Sequence, residues 1–222
     1  MRKCSPIPWL PLAEAGEIPL LMVRHGRTKA NVERRFVGRK DVPLDPHGRG
    51  EAALWAARMA AEKYTALYAS PLLRAQQTAQ VLGPSIPLES LQELDQGDLE
   101  GMRFEDLDPA LLPFFDTWRK DPTNAVIPGG ESLGQCRDRV LAGLRECLSH
   151  HRPGPPVVVV AHQMVMATVV LEAVGLPLRF VNLVKHANTA MDLFAMRPDQ
   201  SFRVVRLNDR EHLLDGPGLE PV

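Results

Sequence analysis

Ile18-Pro19-Leu20-Leu21-Met22-Val23-Arg24-His25-Gly26 sets the frame for the rest of the chain. Its first six residues are a short apolar run, which reads as a buried strand ending at a charged pair and a glycine. A second run, Val157-Val158-Val159-Val160, follows Pro155-Pro156 and ends at Ala161-His162. Consecutive valines suit a central strand buried on both faces.

Helical and extended stretches alternate around these two runs. Asp45-Pro46 is a capping residue followed by a first-turn proline, so a helix starts there and continues to about Lys63. Ala66 to Ala69 reads as a strand, and Pro71 to Leu82 as a helix closed by Gly83 and Pro84. Leu88 to Leu94 is a third candidate strand. The stretch from Gly97 to Gly130 is rich in Asp, Pro and Gly and holds only short helical pieces. Leu133, Cys136, Val140, Leu144 and Cys147 recur at three and four, and Ser132 with Gln135 makes a capping box, so Ser132 to about Leu148 is a helix. Another helix follows His162 to about Val174. Thr189 to Met196 and Phe202 to Leu207 read as a final strand pair. This order implies one α/β domain over 18–222 with a largely parallel sheet. Ligands of such sheets bind beyond the carboxyl ends of the strands. His25 and His162 both fall there, on one rim.

Bulk properties narrow the class. The chain has 222 residues, 45% hydrophobic, with a formal net charge of −1. No global basic field favours nucleic acid or an anionic membrane, so any anion site must be a local cluster. No apolar run is long enough to span a membrane. Residues 1–17 are interrupted by Pro6, Pro8 and Pro11 and carry Glu14 and Glu17, so they lack a signal-peptide core and read as an irregular arm. Cys4, Cys136 and Cys147 show no metal or disulfide spacing; the last two fit a helix core as small hydrophobes. A reducing cytoplasm is the simplest home for them.

Four segments carry chemistry. An imidazole nitrogen can attack phosphorus and form a covalent phosphohistidine. Such chemistry needs cations at the non-bridging oxygens, and Arg24 and Arg27 flank His25. The tripeptide alone also describes a surface Arg-His pair. Ser70-Pro71-Leu72-Leu73-Arg74 opens a helix at a strand end, and helix amino termini favour anions. Arg74 in that first turn is unfavourable to the helix dipole, which a bound phosphate would offset. Glu93 ends an apolar stretch near Asp95, Asp98 and Glu100; a carboxyl there could protonate a leaving alkoxide and then activate water. Spacing alone singles out Glu93 only weakly. His162 could donate to a phosphoryl oxygen. His47, His150, His151, His186 and His212 read as solvated or structural.

Together these motifs, in order from about Leu20 to Met196, resemble the histidine phosphatase superfamily, the clan of cofactor-dependent phosphoglycerate mutases and many small-molecule phosphatases. Arg24-His25-Gly26 with Thr28 and Asn31 is similar to the family's phosphorylated-histidine signature. Ser70-Pro71-Leu72 with Arg74, Ala75, Thr78 and Ala79 is similar to its second phosphate-binding motif. Glu93 with Gly97 and Glu100-Gly101 is similar to its proton-donor segment, and Pro128-Gly129-Gly130-Glu131-Ser132 and the strand leading to His162 complete the pattern. The resemblance implies a three-layer α/β sandwich with a mixed, mostly parallel six-stranded sheet. It implies His25 as nucleophile, Glu93 as proton donor, and Arg24, Arg74 and His162 as the phosphate pocket, with Asn31 and the loop through Gly38 at its mouth. It implies no metal or other cofactor, a phosphorylated small molecule as substrate, and a homodimer as a frequent assembly.

Two positions depart from the family pattern. Gln163 stands where the family usually has glycine; it either narrows the pocket or offers its amide to a phosphoryl oxygen. Arg27 stands where Glu or another polar residue is commoner; it either selects a more acidic substrate or pairs with a nearby carboxylate. The expected reaction is phosphomonoester hydrolysis. Mutase activity and a non-catalytic phospholigand-binding role are the alternatives.

Overall fold

The computed structural model describes residues 14–214. The strands are β1 (Ile18–Arg24), β2 (Ala66–Ala69), β3 (Ile86–Pro87), β4 (Val157–Ala161), β5 (Met191–Met196) and β6 (Phe202–Asp209). The α-helices are α1 (Lys29–Val32), α2 (Pro46–Met59), α3 (Leu73–Ala79), α4 (Leu112–Lys120), α5 (Leu133–Ser149) and α6 (Gln163–Ala173). One six-stranded sheet runs in the order β3-β2-β4-β1-β5-β6. The pairs β3–β2, β2–β4 and β4–β1 are parallel, whereas β5 runs antiparallel to both of its neighbours.

Strand pleating divides the core in two. Leu20 and Met22 of β1 join Val157 and Val159 of β4 under α5 and α6. Leu21 and Val23 join Val158 and Val160, with Trp55 of α2 and Ala75 and Ala79 of α3, on the other face. Successive side chains of a strand point to opposite faces, so a strand covered on both sides has no polar position to offer. That is why β4 is apolar throughout, four valines followed by Ala161.

The helix starts follow their caps. Asp45 accepts the Gly48 N–H at 2.7 Å, and Ser132 and Gln135 satisfy each other's backbone at the head of α5. Two helices end earlier than the sequence suggests, α2 and α3, the latter at Ala79 rather than Leu82. α2 stops at Met59 rather than Lys63, because the chain must turn before Thr65 hydrogen-bonds the Pro156 carbonyl beside β2.

Leu88 to Leu94 is not a strand. The edge strand is the two-residue β3, and Glu89–Leu91 then forms a 3₁₀ turn. Leu88, Leu91 and Leu94 recur every three residues, the period of a 3₁₀ helix, and Leu91 and Leu94 are buried in the core. Residues 14–17, the end of the arm, form no helix or strand. Residues 1–13 lie outside the described residues, but Glu17 is buried and ion-paired with Arg203 of β6. That bond holds the Glu17 carboxyl below its ordinary range.

Candidate active site

The carboxyl ends of β1, β4 and β2 lie side by side, since Arg24 pairs with Ala161 and Ala69 with Val160. The next residue on β1 is His25 and on β4 is His162. The residue after β2 is Ser70, which leads into α3 and Arg74. Adjacency of parallel strands thus brings together groups more than a hundred residues apart. The His25 and His162 rings stand 5.2 Å apart between centroids, tilted by 56°.

The His25 Nδ1 lies 2.7 Å from the Gly26 carbonyl oxygen. A carbonyl can only accept, so Nδ1 carries the proton and Nε2 keeps its lone pair. Burial lowers the His25 pKa well below the ordinary imidazole value, and the Arg74 and Arg24 charges push the same way. The ring is therefore held neutral, the state a nucleophile needs. Thr78 accepts the Gly26 N–H at 2.9 Å, and Asn188 donates to the His25 carbonyl at 2.9 Å.

Both guanidinium groups are anchored from behind by carbonyls. Arg74 donates to Gly38 at 2.8 Å and to Lys40 at 2.9 Å. Arg24 donates to His186 at 2.5 Å, and its Nε is buried without a partner. Both ring nitrogens of His162 are likewise buried and unpartnered, and its pKa is depressed by burial first and by Arg74 next. Buried donors facing two fixed cations are what a phosphoryl group would satisfy. Gly38, whose carbonyl takes one of these bonds, needs to be glycine for a separate reason: its φ is +53°, and a side chain there would collide with Glu100.

Glu93 closes the other side. Its Oε1 accepts the Leu94 N–H at 2.8 Å and its Oε2 the Met164 N–H at 3.2 Å. The protonated carboxyl, placed beside Arg24 and Arg74, can give a proton to a leaving oxygen and, as the carboxylate, later take one from water.

A sequence profile described as "Histidine phosphatase superfamily (branch 1)" matches residues 20–210. The chain belongs to the histidine phosphatase superfamily. It is similar to the probable phosphoglycerate mutase GpmB of Serratia proteamaculans, 32% identical over 169 residues, 72% of this chain and 76% of the relative. Among solved structures it is similar to YhfR of Bacillus stearothermophilus, with 28% identity, a TM-score of 0.81, and 88% of this chain and 99% of that one covered. The mycobacterial glucosyl-3-phosphoglycerate phosphatase superposes with a TM-score of 0.77 and 25% identity over 87% of this chain and 100% of its own.

The two departures from the family pattern resolve differently from the pocket residues. The Gln163 amide does not face the pocket. Its nitrogen donates to the Val184 carbonyl at 2.7 Å and its oxygen accepts the His186 N–H at 3.0 Å. It therefore clasps the segment whose carbonyl anchors Arg24. Arg27 pairs with Asp45 at 2.9 Å, the second of its two readings. Asn31 caps its own helix, accepting from the Thr28 backbone at 3.0 Å, and lies 3.5 Å from the Asn188 amide.

Several supporting residues escaped the sequence reading. Arg139 of α5 donates to the carbonyls of Ser90 at 2.8 Å and Glu93 at 2.9 Å while paired with Glu131. Arg39 bridges Asp95 and Glu131. His186 is buried against Asp192 at 2.6 Å. Asp95 and Glu100, close to Glu93 in the sequence, hold backbone: Asp95 accepts the Gly97 N–H at 3.0 Å and Glu100 the Arg39 N–H at 2.6 Å. Among the described residues, no group of three or more His, Cys, Asp or Glu side chains is placed to hold a metal ion. None of their helices is long and apolar enough to cross a membrane.

Proposed function

We propose that the chain, through one catalytic unit over 18–222, is a phosphomonoesterase acting on a phosphorylated small molecule through a phosphohistidine on His25. One observation carries this reading: a neutral His25 with Nδ1 bound to Gly26 stands among Arg24, Arg74 and an unpartnered His162. The His25 Nε2 lone pair attacks phosphorus as the ester P–O bond breaks. The leaving oxygen takes its proton from Glu93. Glu93, now a carboxylate, removes a proton from water, which attacks phosphorus and breaks the P–N bond. Phosphate leaves, and His25 and Glu93 return to their starting states. Arg24, Arg74 and His162 hold the equatorial oxygens, where the transition-state charge resides. These groups supply the positive charge without a metal. The buried, unpaired thiols of Cys136 and Cys147 support a reducing compartment such as the cytoplasm.

The names of the curated relatives favour phosphoglycerate mutase as a second reading. A mutase must hold a second phosphate. The segment after Glu93 carries Asp98, Glu100, Glu105, Asp106 and Asp108 against Arg103, Arg119 and Lys120, and Arg103 and Arg119 face Glu105 and Asp116. Hydrolysis fits that charge balance better.

The test is quench-trapping with labelled substrate in buffer containing a chelator. The expected result is acid-labile, base-stable phosphate on His25 of the wild type and none, with no turnover, in His25→Ala. Label on another residue, or activity that needs added metal, overturns the reading.

A further inference from the structure

Beside Glu93 lies a cavity of about 320 Å³ whose walls include Phe36, Leu94, Phe114, Phe115, Trp118 and Met164. We propose that this cavity receives the alcohol part of the substrate, and that the substrate is a phosphomonoester of an apolar alcohol, aryl or alkyl. The proposal rests on the phosphomonoesterase reading above and narrows it.

The cavity adjoins the proton donor by construction. The two backbone N–H groups that grip the Glu93 carboxylate belong to Leu94 and Met164, whose residues also line the cavity. On this assignment a leaving oxygen protonated by Glu93 has its carbon skeleton directed past Leu94 and Met164 into this space.

The walls define the chemistry. Phe36 and Phe115 stand 6.2 Å apart, Phe114 and Phe115 5.4 Å, and Phe114 and Trp118 6.1 Å between ring centroids. Polar side chains on the lining are few: Gln96, Asn182 and Arg119. Arg119 is already engaged by Asp116 at 2.8 Å and the Phe115 carbonyl at 3.2 Å. That leaves Gln96 and Asn182, too few partners to replace the water a polyol or a second anion would lose here. The volume is at the lower end of the roughly 300–1,000 Å³ typical of small-molecule sites, enough for one or two rings or a short chain.

Helix α4 supports the same occupant. Among the described α-helices of seven residues or more, it is the one with no fully buried residue. Phe114, Phe115 and Trp118 rest on the core with their burial incomplete. An apolar ligand would complete it, removing its own surface and theirs from water.

The test compares hexyl phosphate with glycerol 1-phosphate, since both release a primary alcohol and make the same demand on Glu93. Wild-type kcat/KM is expected to favour hexyl phosphate by about 30-fold or more, each buried methylene being worth roughly fourfold. In Trp118→Ala and Phe115→Ala that preference is expected to fall to within about threefold, mostly through KM for hexyl phosphate. Binding to His25→Ala, measured by calorimetry, gives a readout without turnover, and hexyl phosphate is expected to bind at least about tenfold tighter than glycerol 1-phosphate. Equal or better use of glycerol 1-phosphate, or equal binding of the two, overturns the cavity assignment and leaves the phosphatase reading standing. Preferential binding without hydrolysis of either ester would do the reverse.

Discussion

The phosphate pocket and the segment that covers it are built on different principles. The pocket sits on strand ends. His25, Arg74 and His162 are almost wholly buried, and their positions follow from the register of β1, β2 and β4. The cover, from Gly97 to Gly130, is a chain of 3₁₀ turns and one nine-residue helix. It is fixed by single contacts rather than by a backbone ladder: Gly97, with φ of +46°, packs so closely on the Pro128 carbonyl that a side chain would collide with it, and the Asp98 N–H donates to the same carbonyl at 2.9 Å. The scaffold can thus hold one phosphoryl chemistry constant while the cover sets what else is admitted. Substitutions in the two regions should differ in kind, with pocket changes acting on every substrate and cover changes acting by leaving group.

Glu93 lies on the border, and its substitution should produce the largest split. Glu93→Gln is expected to slow hydrolysis of an alkyl phosphate by about two to four orders of magnitude. An aryl phosphate with an acidic phenol needs little protonation and should lose far less. Equal losses would place Glu93 with the scaffold and not with the chemistry.

The second contrast is with pH. His25 and His162 are held neutral by burial and by Arg74, and His212, behind Thr189, is pushed down to about 4 by burial. In the unfolded chain all three would titrate near 6.5. Below that pH the unfolded state binds more protons, so stability present above about 6.5 is lost as pH falls toward the folded values. For His212 alone the loss by pH 4 is on the order of 3 kcal/mol. Inorganic phosphate should oppose the part due to His25 and His162, because an anion there favours their charged forms, and leave the part due to His212 in place. Denaturation midpoints at pH 7.5 and 5, with and without phosphate, measure this. A midpoint that rises on acidification would contradict the neutral assignment.

The same division explains what the sequence reveals. Strand-end groups are legible because Arg24-His25-Gly26 and Val157 to His162 each combine an apolar run with the functional group it delivers. The Ser132–Gln135 cap is legible because both partners are three residues apart. Arg139 and Arg39 are not, since each acts on a segment far along the chain and looks locally like a surface charge. Leu88 to Leu94 misleads because an apolar run can follow either a strand or a 3₁₀ period, and Pro87 ends the ladder before it. Gln163 shows that a motif position can keep its place while its side chain turns to a neighbouring segment.

Arg139 tests whether the unread network positions the proton donor. Arg139→Met removes the donors to the Ser90 and Glu93 carbonyls and leaves Glu131 to Arg39. The expected loss is about 10- to 100-fold in kcat on alkyl phosphates, as for the loss of one or two charge-assisted hydrogen bonds, with a smaller loss on aryl phosphates. Arg139→Lys should recover part of it. A uniform loss across both classes of ester would mean that Arg139 serves folding alone.

The smallest effect is expected at Arg27, and it decides between hydrolase and mutase. Arg27 is the cation beside His25 best placed by sequence to reach a distal carboxylate or phosphate. In the structure its Nε is paired with Asp45, and its backbone N–H donates to Glu51 at 2.7 Å. The pair is about one-third exposed on the arginine side, so it contributes little to stability, and removing the side chain leaves the backbone contact intact. Arg27→Ala should therefore change hydrolysis of a simple phosphomonoester by less than about threefold. A mutase would respond otherwise, because it must retain a doubly charged intermediate and exclude water from phosphorylated His25. With 3-phosphoglycerate and 2,3-bisphosphoglycerate supplied together, free phosphate is expected to exceed 2-phosphoglycerate in both the wild type and the variant. Isomerisation that dominates in the wild type and disappears in Arg27→Ala would mean that this arginine leaves Asp45 for the substrate, and that the acidic cover does not exclude a second anion.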